Sequence, residues 1–147
     1  MTVKLEYICM VPRILAIDYG TKRVGVAVTD PGKIIATGLE TVHSKDIIAF
    51  LGNYFSKEEV ECVVVGRPLQ MNGKPSSVTP EIEKFIKALK KNFPLMPVDR
   101  IDERFTSSMA KDALLASGVK KKQRQDKALV DMTSAILILQ SYLDKKQ

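Results

Sequence analysis

Apolar positions fall into two rhythms along this chain. Ile14 to Ile17 and Val24 to Val28 are short unbroken runs rich in β-branched residues, the pattern of strands buried on both faces. Tyr19 to Arg23 joins them as a turn, with Gly20 able to take a positive φ. The spacing predicts strands over Arg13 to Tyr19 and Arg23 to Thr29, then a turn at Asp30-Pro31-Gly32. Ile34 to Val42 reads as a third strand, so the first three form an antiparallel meander. Asp46 to Phe55 has helical spacing, with Ser44 as its cap. Val60 to Val65 is a fourth strand. Arg67 to Ser77 holds Pro68, Gly73 and Pro75, so it reads as a loop, longer than the usual connection of about 4–6 residues and of the kind that tends to be functional. Thr79-Pro80-Glu81 opens a helix to about Asn92, with Ile82, Phe85, Ile86 and Leu89 as its stripe. Val98 to Asp102 is a fifth strand. Thr106 or Ser107 caps a helix to Ala116 that Gly118 stops. Lys120 to Lys127 reads as a basic linker, and Lys127 to Asp144 as the last helix.

The order β-β-β-α-β-α-β-α-α implies an α/β fold with a mixed five-stranded sheet and helices on its faces. The 147 residues fit one domain with a substantial core. Residues 13–147 are expected to form it, with residues 1–12 as an N-terminal extension, either an edge strand or a leader. No apolar run approaches the roughly 20 residues of a membrane span, and the N-terminus lacks the h-region of a signal peptide. Two cysteines without a CxxC suit a reducing cytoplasm, with Cys62 as a small buried residue. His43 is expected at the surface. The net charge of +6 favours an anionic partner, nucleic acid above all. The absence of tryptophan and an aromatic content of 6% argue against a stacking platform for single strands.

Three carboxylates stand where they are costly. Asp18 ends the first buried strand, where an ionised acid needs a cation or a hydrogen-bonded turn. Asp102-Glu103 ends the fifth strand, and alternation lets only one of the two share a face with Asp18. Asp131 lies at i, i+4, i+7, i+11 spacing with Ala135, Ile138 and Tyr142, beside a core-facing stripe. Converging carboxylates repel unless a divalent cation sits among them. Mg²⁺ suits such oxygens, and two ions about 3.5–4 Å apart serve phosphodiester cleavage. The structural alternatives are local: Asp18 capping its turn, Asp102 pairing with Arg104 or Arg100, Asp131 pairing with Arg23 or Lys127.

Four stretches resemble one family. Asp18-Tyr19-Gly20-Thr21-Lys22-Arg23-Val24-Gly25-Val26-Ala27 resembles the first motif of the YqgF-like proteins, candidate Holliday junction resolvases of bacteria. Val65-Gly66-Arg67-Pro68-Leu69 with Gly73 resembles their second motif, Asp102 to Ser107 the third, and Val130 to Leu143 the fourth. The match runs in order from Arg13 to Asp144. Arg67 departs from the usual leucine, Thr133-Ser134 replaces small residues such as alanine, and Met1 to Met10 is additional.

The resemblance implies a ribonuclease H-like fold and a nuclease dependent on Mg²⁺ or Mn²⁺. It also implies that Asp18, Glu103 and Asp131 are the catalytic and metal-binding acids, which leaves Asp102 structural. The implied substrates are precursor ribosomal RNA, at the 5′ end of the 16S species, or branched DNA. A monomer or a homodimer fits either. Arg23, Arg67 and Arg104 are candidate phosphate contacts, or else solvated surface or partners of the acids. Lys120, Lys121, Lys122, Arg124 and Lys127 are a candidate backbone-binding strip, or else a solvated linker. Gly20 and Gly25 are expected to let the turn or a substrate come close. Two rival functions use the same residues. The Asp-x-Gly-Thr hairpin also opens actin-like and sugar-kinase nucleotide-binding domains, which need a second such hairpin. A non-catalytic RNA-binding scaffold would ignore metal.

Overall fold

The computed structural model describes residues 12–30, 32, 35–69, 79–104, 106–118, 120–124 and 126–146. The extension over residues 1–11 and most of the expected 67–77 loop lie outside them. Five strands, β1 (Arg13–Tyr19), β2 (Arg23–Thr29), β3 (Ala36–His43), β4 (Val60–Leu69) and β5 (Val98–Arg104), form one sheet in the order β3-β2-β1-β4-β5. β1 pairs antiparallel with β2 and parallel with β4; β4 and β5 are parallel. The apolar run Ile14–Ile17 thus lands in the centre of the sheet, where both faces are covered.

The two faces are built from different side chains. Leu15, Ile17, Val24, Val26, Val63 and Val65 point to one side. They meet α1 (Ile47–Lys57) and α2 (Thr79–Asn92) through Ile47, Leu51, Ile82, Phe85, Ile86 and Leu89. Each such fully buried side chain contributes about 1.5–3 kcal/mol. The other face is lined by smaller residues, including Ala16, Ala27 and Val64. On it lies the long helix α5 (Lys127–Lys146), which reaches all five strands and buries Ala135, Ile138, Leu139, Tyr142 and Leu143. Next to α5 packs α3 (Thr106–Ala116), with Ala110 and Leu114 against Val130. Gly118 ends α3 with φ +80°, as its position after the last apolar residue predicts.

Three expectations need correction. Ser44 does not cap α1: its hydroxyl donates to the Thr21 carbonyl at 2.7 Å, and Asp46 takes the cap position without a side-chain hydrogen bond. The basic segment is not all linker, because Lys121–Arg124 forms the short helix α4. β4 continues to Leu69, through Gly66, Arg67 and Pro68. These three pair only with β5, beyond the last β1 partner of β4 at Ile17↔Val65. A proline is tolerated where one side of the strand has no ladder to donate to.

Candidate nuclease site

Strand parity decides which acids share a face. Ile14 and Ala16 of β1 belong to the α5 side, so Asp18, two residues on, points there as well. Asp18 stands opposite Gly25 in the β1–β2 register. Gly25 in turn lies directly beneath α5: a Cβ on it would stand 2.0 Å from the Asp131 carbonyl oxygen. Such an approach is open only to glycine, and it brings the Asp131 backbone down onto the register partner of Asp18. Gly25 therefore admits the helix that carries Asp131, where the sequence pointed to a turn or a substrate. Gly20 does serve the turn, donating from its N–H to the Arg23 carbonyl at 3.0 Å.

Asp131 is one turn into α5, whose start is held by Asp126 Oδ1 accepting from the Ala128 N–H at 2.9 Å. Arg23 Nε donates to Asp131 Oδ2 at 2.8 Å, with the two side chains 39% and 23% exposed. One structural alternative is thus realised, and Arg23 sits at the acids. A carboxylate offers about four lone-pair sites on two oxygens, so this contact leaves Oδ1 able to accept a second cation.

On β5, Ile101 packs into the α5-side core, and Asp99 Oδ2 accepts from the hydroxyl of Tyr142 on α5 at 2.5 Å. Position 103 has the same parity as 99 and 101, and its backbone stands opposite Pro68. The Glu103 side chain lies outside the described residues, as do those of Arg104 and Arg124. Among the described residues no three acidic, histidine or cysteine side chains gather around one point. Asp102 has the opposite parity, is exposed, and stands 3.7 Å from Arg67 Nε. Arg67 follows Val63 and Val65 on the α2 side, so the fold places it across the sheet from Asp18 and Asp131. The exposed residues Lys120, Lys121, Lys122 and Lys127 lead into α5, four residues or more before Asp131. His43 is exposed.

The donors at the Asp18–Asp131 end of the sheet are carboxylate oxygens. They fit a hard cation such as Mg²⁺ or Mn²⁺ better than a soft one. Sequence patterns named Arg100 only as a partner for Asp102, where it pairs instead with Glu83, and did not single out Lys145; both border a groove of about 450 Å³ at the β5 edge together with Arg67, Asp102 and Tyr142. The one available signal was parity, since Arg100 is a cation within a strand and on its helix-covered side.

Known proteins match the same span. A pre-16S rRNA nuclease, so named as a candidate, from Flavobacterium psychrophilum is 59% identical over 135 residues, 92% of this chain and 98% of its own. A protein of the same name from Christiangramia forsetii is 55% identical over 89% of this chain and 97% of its own. Among solved structures, RuvC of T. thermophilus in complex with Holliday junction substrate superposes with a TM-score of 0.57 at 17% identity. That match covers 92% of this chain and 96% of RuvC and shows a shared ribonuclease H-like fold. The RuvX family model, described as Holliday junction resolvase, matches residues 12–145, and with this span and these relatives the chain belongs to the RuvX family.

Proposed function

We propose that this protein is a divalent-metal-dependent nuclease that trims the 5′ end of precursor 16S ribosomal RNA in the cytoplasm. The observation that carries the reading is the docking of α5 over Gly25, which sets Asp131 against the strand partner of Asp18. Asp18, Glu103 and Asp131 would hold Mg²⁺ or Mn²⁺. When bound, such an ion supplies Lewis-acid stabilisation of a phosphoryl oxygen and a more acidic water. Arg23 orients Asp131 and offers charge to an incoming phosphate. The lysines before α5 hold the nucleic-acid backbone by sequence-independent contacts.

Ribosomal RNA is preferred as substrate because the relatives at 50–59% identity carry that name over nearly their whole length. Holliday junction cleavage is the second reading, favoured by the family description, and a two-fold junction would call for a homodimer. The test is metal-dependent cleavage of precursor 16S RNA, a four-way DNA junction and plain duplexes by the native protein, Asp18→Asn and Asp131→Asn. Loss of a residue that only orients a metal ligand costs 10–100-fold, so losing a ligand itself should cost at least about 100-fold. Full activity in either variant would remove that acid from the metal site, and absence of metal-dependent cleavage by the native protein on every substrate would overturn the enzyme reading and leave a binding scaffold. Thermal stabilisation by a nucleotide would point to the kinase-like rival.

A further inference from the structure

Across the sheet from the acids, the β5 edge carries a second concentration of cations. β5 is the last strand of the sheet, and a groove of about 450 Å³ runs along it. Arg67 and Arg100 border it from the α2 side, and Lys145 from α5. Arg100 spends one nitrogen on a neighbour: Nη1 donates to Glu83 Oε1 at 2.6 Å. Its Nε and Nη2, and Nε of Arg67, are buried and have no acceptor among the described residues. Nε and Nη2 form the side-on fork of a guanidinium, which matches two oxygens of a carboxylate or a phosphate. Buried donors without acceptors are rare, and each calls for an explanation.

The carboxylates at hand do not supply it. Glu83 is committed to Arg100 Nη1, and that contact holds its carboxyl below the usual range. Asp99 accepts from Tyr142. Asp102 is 3.7 Å from Arg67 Nε, too long for a hydrogen bond, and the Arg67 side chain is 41% exposed. Three cations therefore face the groove against one loosely held acid.

We infer that this groove is a phosphate-binding subsite. Resting on the nuclease reading, it would take a backbone phosphate of the nucleic acid, with Arg100 as the fork and Arg67 and Lys145 as flanking charges. Its position supports this. In the strand registers Asp18 is one residue past Ile17↔Val65, and Val65 pairs with Arg100. The backbones of Asp18 and Arg100 are thus nearly level along the strands and two strand spacings, about 10 Å, apart, with their side chains on opposite faces of the sheet. A backbone rounding the β5 edge from one face of the sheet to the other would meet both. The occupant is a phosphodiester because it must span from the acids to the edge; a free phosphate ion would satisfy the fork alone.

The test uses the full-length protein in EDTA, so that binding is read without cleavage. The probes are a four-way DNA junction, an RNA hairpin and inorganic phosphate. Arg67→Gln with Lys145→Gln should weaken binding of both nucleic acids and lower the slope of log affinity against log salt by up to about 0.9 on duplex, the value for one phosphate. Arg100→Lys keeps the charge but loses the fork, and it should weaken binding with the slope unchanged. Circular dichroism melts confirm folding. An unchanged slope and affinity in a folded double variant would overturn the subsite. Loss of inorganic phosphate binding with nucleic-acid binding intact would overturn the backbone assignment and leave a small-ion site. The outcome is independent of the catalytic reading: if Asp18→Asn still cleaves, the nuclease centre falls while a reduced slope still stands.

Discussion

The Asp131 carboxylate gives one oxygen to Arg23 and keeps the other, so a small change at either residue should separate stability from activity. A half-exposed ion pair contributes about 0–1 kcal/mol. Arg23→Met should therefore lower stability by less than about 1 kcal/mol in urea unfolding, yet reduce cleavage, because Asp131 loses its orienting contact. A fall in activity no larger than the fall in folded fraction would make Arg23 merely structural. Tyr142 offers a pH test. Burial, and then its hydrogen bond to Asp99, push its phenol well above the usual value; burial raises Tyr19 and Tyr54 as well. A raised folded pKa means that the contribution is complete below the unfolded value near 10 and is lost as pH rises toward the folded one. Stability should thus fall with pH above about 10, and Tyr142→Phe should make that fall shallower without removing it. Equal slopes for the two proteins between pH 9 and 11, a range bracketing that value of about 10, would contradict the shift.

Elements are where the glycines matter. Gly25 and Gly38 both lie under α5, but an added Cβ would meet different neighbours: backbone of Asp131 at 2.0 Å for the first, the flexible Met132 side chain at 2.8 Å for the second. Gly25→Ala has no side chain to push aside, so it should cost about 1–3 kcal/mol or more and abolish cleavage by lifting α5. Gly38→Ala needs a rotamer change at Met132 and a small shift of the Ile136 side chain, and should cost less than about 1 kcal/mol. Equal losses in denaturant midpoint would show that α5 is not seated on Gly25. Much of this frame was legible beforehand. Unbroken apolar runs gave β1 and β2, the Thr79-Pro80 start and Ile82–Leu89 stripe gave α2, and the lone acid beside a core-facing stripe flagged Asp131. Parity separated Asp102 from Asp18. What stayed hidden depends on partners distant in sequence. Arg67-Pro68 reads as the start of a loop until β5 is there to hold it extended. Lys121–Arg124 is too short to show a period. The neighbour of Gly25 is known only once α5 has been placed.

For the whole molecule, the charge of +6 is divided between at least two surfaces, the lysines ahead of α5 and the β5-edge groove. Replacing Lys120, Lys121 and Lys122 by alanine should weaken every nucleic acid alike at low salt. It should flatten the salt dependence by about 2–3 units of slope, close to one for each phosphate that is no longer neutralised. An unchanged slope would make these lysines a solvated link and leave the groove as the main anchor. The position of α5 has one more consequence, and it concerns the making of the protein. This helix follows all five strands in the sequence yet covers one whole face of their sheet. During synthesis the chain emerges N-terminal end first, so Ala16, Ala27, Val64 and Ile101 stay open to water until residues 127–146 are available. The nascent sheet is then a one-sided layer that a chaperone can recognise, and it has no Asp131 beside Asp18. Its nuclease capacity would appear only after this last helix has left the ribosome and closed over the sheet.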